Sequence, residues 1–246
     1  MIAVKLGGAA ITNKQQERCF RTQVTQRLAE ELATTDEPLL IVHGAGSFGH
    51  PQAKRYCLHL GWVPQLNQRE GIAFTHATVR ELNCLVLAAL HRAGIPGVAI
   101  PPFPTLDKAY VDHIKQVIDI GLIPVTFGDV LIDGQPSIVS GDELMYQLSL
   151  PLQAKQAIFV TNVDGIYANP ADPSTVIGTC TPDELQEAVV GGSIHSDVTA
   201  GMAGKVKSIN EMVYSGVEVA IINGTKPGRL SNALHGSVKG TKVVLA

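Results

Sequence analysis

The chain has 246 residues, 45% hydrophobic and only 17% charged, with a formal net charge of −3. That balance supports a sizeable core, in one large α/β domain or two closely fused lobes. It shows no basic cluster of the kind nucleic-acid binding needs, and no apolar run long enough to cross a membrane.

The N-terminal residues are too soon interrupted by Lys5 to read as a signal peptide, and a cytoplasmic location is expected. The cysteines at 19, 57, 84 and 180 form no C-x-x-C pair, so reduced, mostly buried thiols are expected. Ile2-Ala3-Val4-Lys5-Leu6 reads as a strand running into Gly7-Gly8. A lysine in an apolar strand is costly to bury unless paired, and the following glycines suggest a phosphate-binding turn. The alternative is an edge-strand lysine with a snorkelling stem. Thr12 and Asn13 are good helix caps. Lys14 follows, near enough to the turn to be either a second phosphate ligand or a solvated lysine. Helical spacing of Phe20, Val24, Leu28 and Leu32 comes next.

The apolar run 39–42 reads as a buried strand and opens into His43-Gly44-Ala45-Gly46-Ser47-Phe48-Gly49-His50. Glycines here let the backbone turn and approach a ligand, and successive N–H groups can form an anion nest. His50 is placed to donate to a phosphate oxygen; the alternative is a glycine-rich turn with satisfied histidines. Residues 51–61 read as a short helix and 62–69 as a loop. Ile72, Thr75, Val79, Leu82, Val86 and Leu90 mark one side of a long helix ending near Gly94, with Phe74 beside that stripe. Such a stripe is core packing or the wall of an apolar pocket.

Residues 97–100 and 123–127 read as strands around a helix at 111–120. Two short strands, 130–132 and 137–139, flank the turn signal Asp133-Gly134 and form a hairpin. It leads to Ser140-Gly141-Asp142-Glu143 at a helix head, where Asp142 is a cap, a functional carboxylate or both. Strand 157–160 delivers Thr161, Asp164, Gly165 and Tyr167 at its carboxyl end, where open α/β sheets bind ligands. A surface loop at 168–182 precedes a helix that starts at Thr181-Pro182-Asp183-Glu184 and ends at Gly191-Gly192. Residues 197–205 read as a second glycine-rich turn. It places Lys205 in a first helical turn, a position that suits either a bound phosphate or a plain surface lysine. Strands at 217–222 and 242–245 close the chain. The alternation predicts an α/β sheet, largely parallel, with helices on both faces. Lys5, Lys14, His50 and Asp142 come from the first part of the chain, and Asp164 and Lys205 from the second. That division suits an acceptor lobe at about 1–150 and a nucleotide lobe at about 151–246.

Taken together, these stretches resemble the amino acid kinase superfamily, and within it the isopentenyl phosphate kinases. The likeness rests on Lys5-x-Gly7-Gly8, Lys14, the 43–50 loop, Gly128-Asp129-Val130, Ser140-Gly141-Asp142, 161–167, 197–205, Asn223-Gly224 and Gly240-Thr241. His50 is its specific part, shared with fosfomycin kinases. The resemblance implies a three-layer α/β/α sandwich, a homodimer, and transfer of the ATP γ-phosphoryl group to isopentenyl phosphate, with Mg²⁺ accompanying ATP. By the same resemblance, Lys5, Lys14, His50 and Asp142 are the candidate catalytic residues. Ala45, His50 and Gly141 would hold the acceptor phosphate, and Phe74, Val79, Val130 and Ile138 its alkyl tail. Lys5, Gly7, Gly8, Gly46, Thr161, Asp164, Gly165, Tyr167, Gly201 and Lys205 would bind ATP. No residues stand out as metal ligands. Ala200 replaces a more usual glycine, and Asn13 a common aspartate. The rivals are a fosfomycin-type phosphonate kinase and a nucleotide-binding sensor without catalysis.

Overall fold

The computed structural model describes residues 1–169, 171–191 and 196–245, without the side chains of 189–191 and 196–203. Its strands are β1 (Ile2–Leu6), β2 (Leu39–His43), β3 (Gly97–Ala99), β4 (Ile123–Phe127), β5 (Asp129–Asp133), β6 (Gln135–Val139), β7 (Gln156–Thr161), β8 (Thr179–Cys180), β9 (Glu218–Asn223) and β10 (Gly240–Val243). Among the described residues, eight of them form one sheet in the order β3-β4-β2-β1-β7-β9-β10-β8, parallel except where β10 meets β9. β5 and β6 form a separate antiparallel hairpin turning at Gly134, with φ +72°.

The helices are α1 (Gly8–Ile11), α2 (Thr22–Leu32), α3 (Gly46–Arg55), α4 (Gln68–Arg92), α5 (Lys108–Asp119), α6 (Gly141–Ser149), α7 (Pro182–Gly191), α8 (Ser196–Tyr214) and α9 (Arg229–Leu234). They cover both sheet faces, as parallel sheets require. On one face Ile2, Val4 and Leu6 of β1 join Leu28, Leu32, Leu82, Val86 and Leu230 in a core. On the other, Ala3 joins Leu144, Met145, Leu148, Val206 and Ile209. Side chains alternate along a strand, so Lys5 shares the face of Ala3 and points toward the α6 and α8 layer.

Several expectations change. β1 lies between β2 and β7, so Lys5 is not an edge lysine and cannot snorkel from an edge. The helix placed at 51–61 begins at Gly46, inside the glycine stretch, and residues 58–60 form a separate 3₁₀ turn. The loop at 168–182 contains β8, and α9 falls where the residue pattern predicts no helix. Asp142 is not the cap of α6, because Ser140 Oγ accepts the Glu143 N–H at 3.1 Å. Residues 197–205 belong to α8 rather than to a turn, so Lys205 does not sit in a first turn. Of the cysteines only Cys180 is buried; Cys19 and Cys57 are partly exposed and Cys84 is exposed, all as free thiols.

Candidate active site

β1 and β2 are neighbours in parallel register, Leu6 opposite His43, so the turns that follow them emerge side by side. Their backbones touch. A Cβ on Gly8 would meet Gly46 Cα at 2.6 Å, and one on Gly44 would meet Gly8 N at 2.7 Å. A side chain at either position would push the two turns apart. The Gly7 N–H donates to Val160 O at 2.8 Å, which ties the first turn to β7 as well. The Thr12 hydroxyl donates to Gly8 O at 2.6 Å and accepts the Ser47 N–H at 3.1 Å. It thereby joins the two turns. Ala45 precedes α3 and offers no side-chain cap; the Ser47 N–H is taken by Thr12 and those of Phe48 and Gly49 by Ala45 O, so the Gly46 N–H is the leading donor left for an anion.

Lys5 is 6% exposed. Its Nζ lies 2.7 Å from Asp142 Oδ1, and Lys205 Nζ approaches the same oxygen at 3.5 Å. The Phe159 ring lies under both ammonium groups, at 5.9 and 6.0 Å from its centroid. Phe159 pairs directly with Lys5 across β1 and β7. Burial lowers the Lys5 pKa to about 8, with Asp142 opposing the shift and Lys205 and Lys14 adding to it. Burial alone would raise the Asp142 pKa, but Lys5 and Lys205 outweigh it and hold the carboxyl below its usual range. Two cations thus share one carboxylate, a local excess of positive charge suited to phosphate. Gly141 fits against this pair: a Cβ there would stand 3.0 Å from Lys5 Cε.

Lys14 is exposed, and its charge is felt at both Lys5 and His50. His50 is open to solvent as a residue, yet desolvation of its ring lowers its pKa, followed by the charges of Lys14 and Lys5. The structure therefore puts Lys5, Asp142 and Lys205 in contact, with Lys14 and His50 near enough for charges to be felt between them and Lys5. His43 is different. It is fully buried, its pKa is lowered to about 4, and it stacks on Phe127 at 5.1 Å. The neutral ring donates from Nδ1 to Gly44 O at 3.2 Å and accepts at Nε2 from Asn83 at 3.1 Å. It supports the turn and is closed to ligands.

Of the residues expected at the acceptor tail, Val79 and Val130 are fully buried, and a Cβ on Gly49 would strike Val79 Cγ1 at 2.6 Å. Phe74 is 49% exposed and Ile138 37%, so both stand at an edge. Phe74 is not the floor of a closed pocket in this structure. On the same two elements, α4 and β5, stands a pair that no sequence pattern suggests: His76 Nδ1 and the buried Asp129 Oδ2, 2.7 Å apart. A cavity of about 390 Å³ opens farther along the hairpin, among Trp62, Arg69, Ile72, Ile132, Gly134 and Gln135. Lys5, Lys14, His50, Asp142 and Lys205 do not line it.

Beyond β7 a second polar group forms. Asp164 pairs with Lys226 at 2.9 Å and Arg229 at 3.8 Å, accepts from Asn223 at 3.1 Å, and its N–H donates to Tyr167 Oη at 3.1 Å. The Lys226 pair holds its carboxyl below the usual range. Thr161 Oγ1 lies within 3.0 Å of Val163 O and 3.1 Å of Ile222 O, so it shapes the loop from within. Gly165, at φ +154°, leaves room for Thr241, whose hydroxyl accepts the Ile166 N–H at 2.8 Å. No local signal marks Lys226 and Arg229, or Glu31 on α2. Glu31 accepts from the N–H groups of Gly228, Leu230 and Ser231 at 3.0, 2.9 and 3.1 Å. Arg27 braces Glu31 at 2.5 Å and reaches Gly224 O at 2.6 Å. Gly201, Asp197 and Ala200 fall in α8 where their surroundings lie outside the described residues. No group of three or more His, Cys, Asp or Glu side chains among the described residues could hold a metal ion.

The layered parallel sheet with paired glycine turns and a lysine cluster at its carboxyl edge has a family. The chain belongs to the amino acid kinase family, whose profile matches residues 1–223. Within that family it is 36% identical to the isopentenyl phosphate kinase of Methanothermobacter thermautotrophicus, covering 99% of this chain and 98% of that protein. It is 30% identical to the Thermoplasma acidophilum isopentenyl phosphate kinase, over 99% of this chain and all of that protein. It superposes on a crystal structure of the T. acidophilum isopentenyl phosphate kinase product complex with a TM-score of 0.83, at 27% identity and 99% coverage of both chains.

Proposed function

We propose that the chain transfers the γ-phosphoryl group of ATP to isopentenyl phosphate, giving isopentenyl diphosphate and ADP. The observation that carries this is the Lys5–Asp142–Lys205 cluster, with Lys5 felt at His50 on α3, in a chain similar throughout to isopentenyl phosphate kinases. The acceptor oxygen is already anionic, so no general base is needed. Catalysis then rests on positioning and charge stabilisation. Lysines, the backbone N–H at Gly46 and one histidine supply both.

In this reading Ala45, His50 and Gly141 hold the acceptor phosphate. Gly7, Gly8 and Gly46 cradle the phosphates in flight, and Lys14 offsets charge on the transferring group. Lys5 and Lys205 serve the ATP phosphates while Asp142 orients them. Thr161, Asp164, Gly165, Tyr167 and the Gly201 region line the nucleotide end. Val79 and Val130 wall the tail, with Phe74 and Ile138 at its rim. Residues 1–150 form the acceptor lobe and 151–246 the nucleotide lobe. Mg²⁺ accompanies ATP on its phosphates, since the described residues provide no carboxylate cluster for it. The working unit is a cytoplasmic homodimer.

The test is ADP release from Mg·ATP with isopentenyl, dimethylallyl and geranyl phosphates and with fosfomycin. Isopentenyl phosphate is expected to give the highest kcat/KM. Folded protein that binds ATP but releases no ADP with any acceptor defeats the reading, and a preference for fosfomycin replaces the acceptor.

A further inference from the structure

Ser47 lies at the start of α3, is 4% exposed, and uses every polar atom it has. Its N–H donates to Thr12. Its hydroxyl accepts the Cys19 N–H at 3.2 Å, and its carbonyl accepts the Arg18 N–H at 3.0 Å. That carbonyl is available for a chemical reason. In a helix it would receive the N–H of the residue four positions later, which is Pro51, and proline has none. The orphaned acceptor is filled from outside the helix, by the segment that carries Lys14.

The other end of that segment is also fixed. The Asn13 N–H donates to Cys19 O at 2.8 Å, and the Arg21 N–H to Ile11 O at 2.8 Å, closing residues 13–19 into a loop. Asn13 Oδ1 accepts the Gln15 N–H at 3.1 Å, which turns the chain around Lys14. Arg18 adopts φ +54°, an uncommon conformation for a residue with a side chain, and pairs with Glu81 of α4. Apart from this base the loop is open: residues 14–18 are exposed. Its footing on the turn is therefore Ser47.

We infer that Ser47 is a positioning residue for Lys14, and that Pro51 makes this possible by freeing the Ser47 carbonyl. Ser47 and Pro51 dock the Lys14 loop on the helix that carries His50, fixing the spacing of the two groups. This rests on the proposed role of Lys14, so the test separates the docking from the chemistry.

Docking is read by hydrogen exchange at the Arg18 and Cys19 amides, with no substrate present. Ser47→Ala removes the hydroxyl acceptor, and Cys19 is expected to exchange about tenfold faster, a change equal to about 1.4 kcal/mol. Pro51→Ala restores a helical donor that competes for Ser47 O, and Arg18 is expected to lose protection. That variant keeps a good helix former, so it serves if Ser47→Ala misfolds. Unchanged protection in both overturns the docking. The chemistry is read by a double-mutant cycle with Lys14→Ala. Ser47→Ala alone is expected to lower kcat about tenfold, and to add little to Lys14→Ala, because both act through one ammonium group. Fully multiplicative losses, or wild-type kcat in Ser47→Ala, overturn the positioning role. Wild-type kcat in Lys14→Ala with altered exchange in Ser47→Ala removes Lys14 from the reaction and leaves a loop anchor without a catalytic purpose, which also overturns it.

Discussion

Lys5 Nζ and Asp142 Oδ1 stand 2.7 Å apart beneath the glycine turns, and the pair shares its negative charge with Lys205. Burial brings the Lys5 pKa down from 10.5 to about 8, so in the free protein its charge is lost within an accessible range. kcat/KM for ATP, which reports the free enzyme, is expected to fall above about pH 8. The sign for stability is opposite. Between pH 8 and 10.5 the unfolded chain binds the extra proton, so this group makes folding more favourable as pH rises. Loss of rate without loss of Tm from about pH 7.5 to about pH 9 is the expected pattern. A parallel fall in both would mean that alkaline unfolding, not Lys5, sets the limit.

Asp142→Asn leaves two ammonium groups close together without a counter-ion. Breaking a buried pair in this way costs about 3 kcal/mol. The Lys5 pKa should fall further, moving the alkaline limb of the rate profile toward neutrality. Thermal denaturation and a pH–rate profile check both; an unmoved limb would show that Lys5 does not carry the rate.

His50→Ala is expected to lose most activity with the fold intact. A ring N–H on a phosphate oxygen is a charge-assisted bond of roughly 1.5–3 kcal/mol. His50→Gln should recover part of the loss by keeping a donor. Circular dichroism with acceptor kinetics decides it, and wild-type turnover in His50→Ala would place the acceptor elsewhere.

Glu31→Gln replaces an acceptor for three backbone N–H groups with a side chain that presents a donor on one side. The cost is about 2 kcal/mol, or about 5 °C in Tm. Because these N–H groups belong to the segment bearing Lys226 and Arg229, the KM for ATP should rise while the acceptor KM holds. Equal rises in both would make Glu31 a general stabiliser only.

Val79 is fully buried against Gly49, whereas Phe74 stands half exposed, so Val79 is expected to weigh more in tail selection. Val79→Ala should favour geranyl over isopentenyl phosphate about tenfold by opening space beside the acceptor turn, and Phe74→Ala should leave the ratio alone. Measuring kcat/KM on both acceptors decides between them. The reverse result would make Phe74 the selecting wall once acceptor is bound.

The sequence was most legible where burial on both faces demands an unbroken apolar run. β1 falls at the residues expected, and β2 and β7 within a residue or two. Glycine misled twice. Residues 46–50 and 197–205 look like turns by propensity, yet the structure makes both helical, because tertiary packing outweighs a weak local preference. β8 is two residues long and α9 six, too short for periodicity to show. Lys5, Lys14 and His50 stand out in the sequence because a cation beside glycines is the local chemistry expected of a phosphate site, whereas the turn that singles out Lys205 is helical. Phe159 under Lys5, Glu31 at α9 and Lys226 on Asp164 could not. Each joins residues far apart in the chain, and nothing local marks them.

The placement of β1 has a bearing on how the chain is made. β1 is an inner strand made well before both of its neighbours are complete, for these lie at residues 39–43 and 156–161. Until the second is synthesised, β1 keeps one edge of unpaired N–H and C=O groups. Throughout that interval Lys5 has no Phe159 beneath it, and Lys205 has not yet joined Asp142. A nascent chain halted near residue 150 therefore holds both glycine turns next to an open, sticky strand edge, and is a natural client for a chaperone.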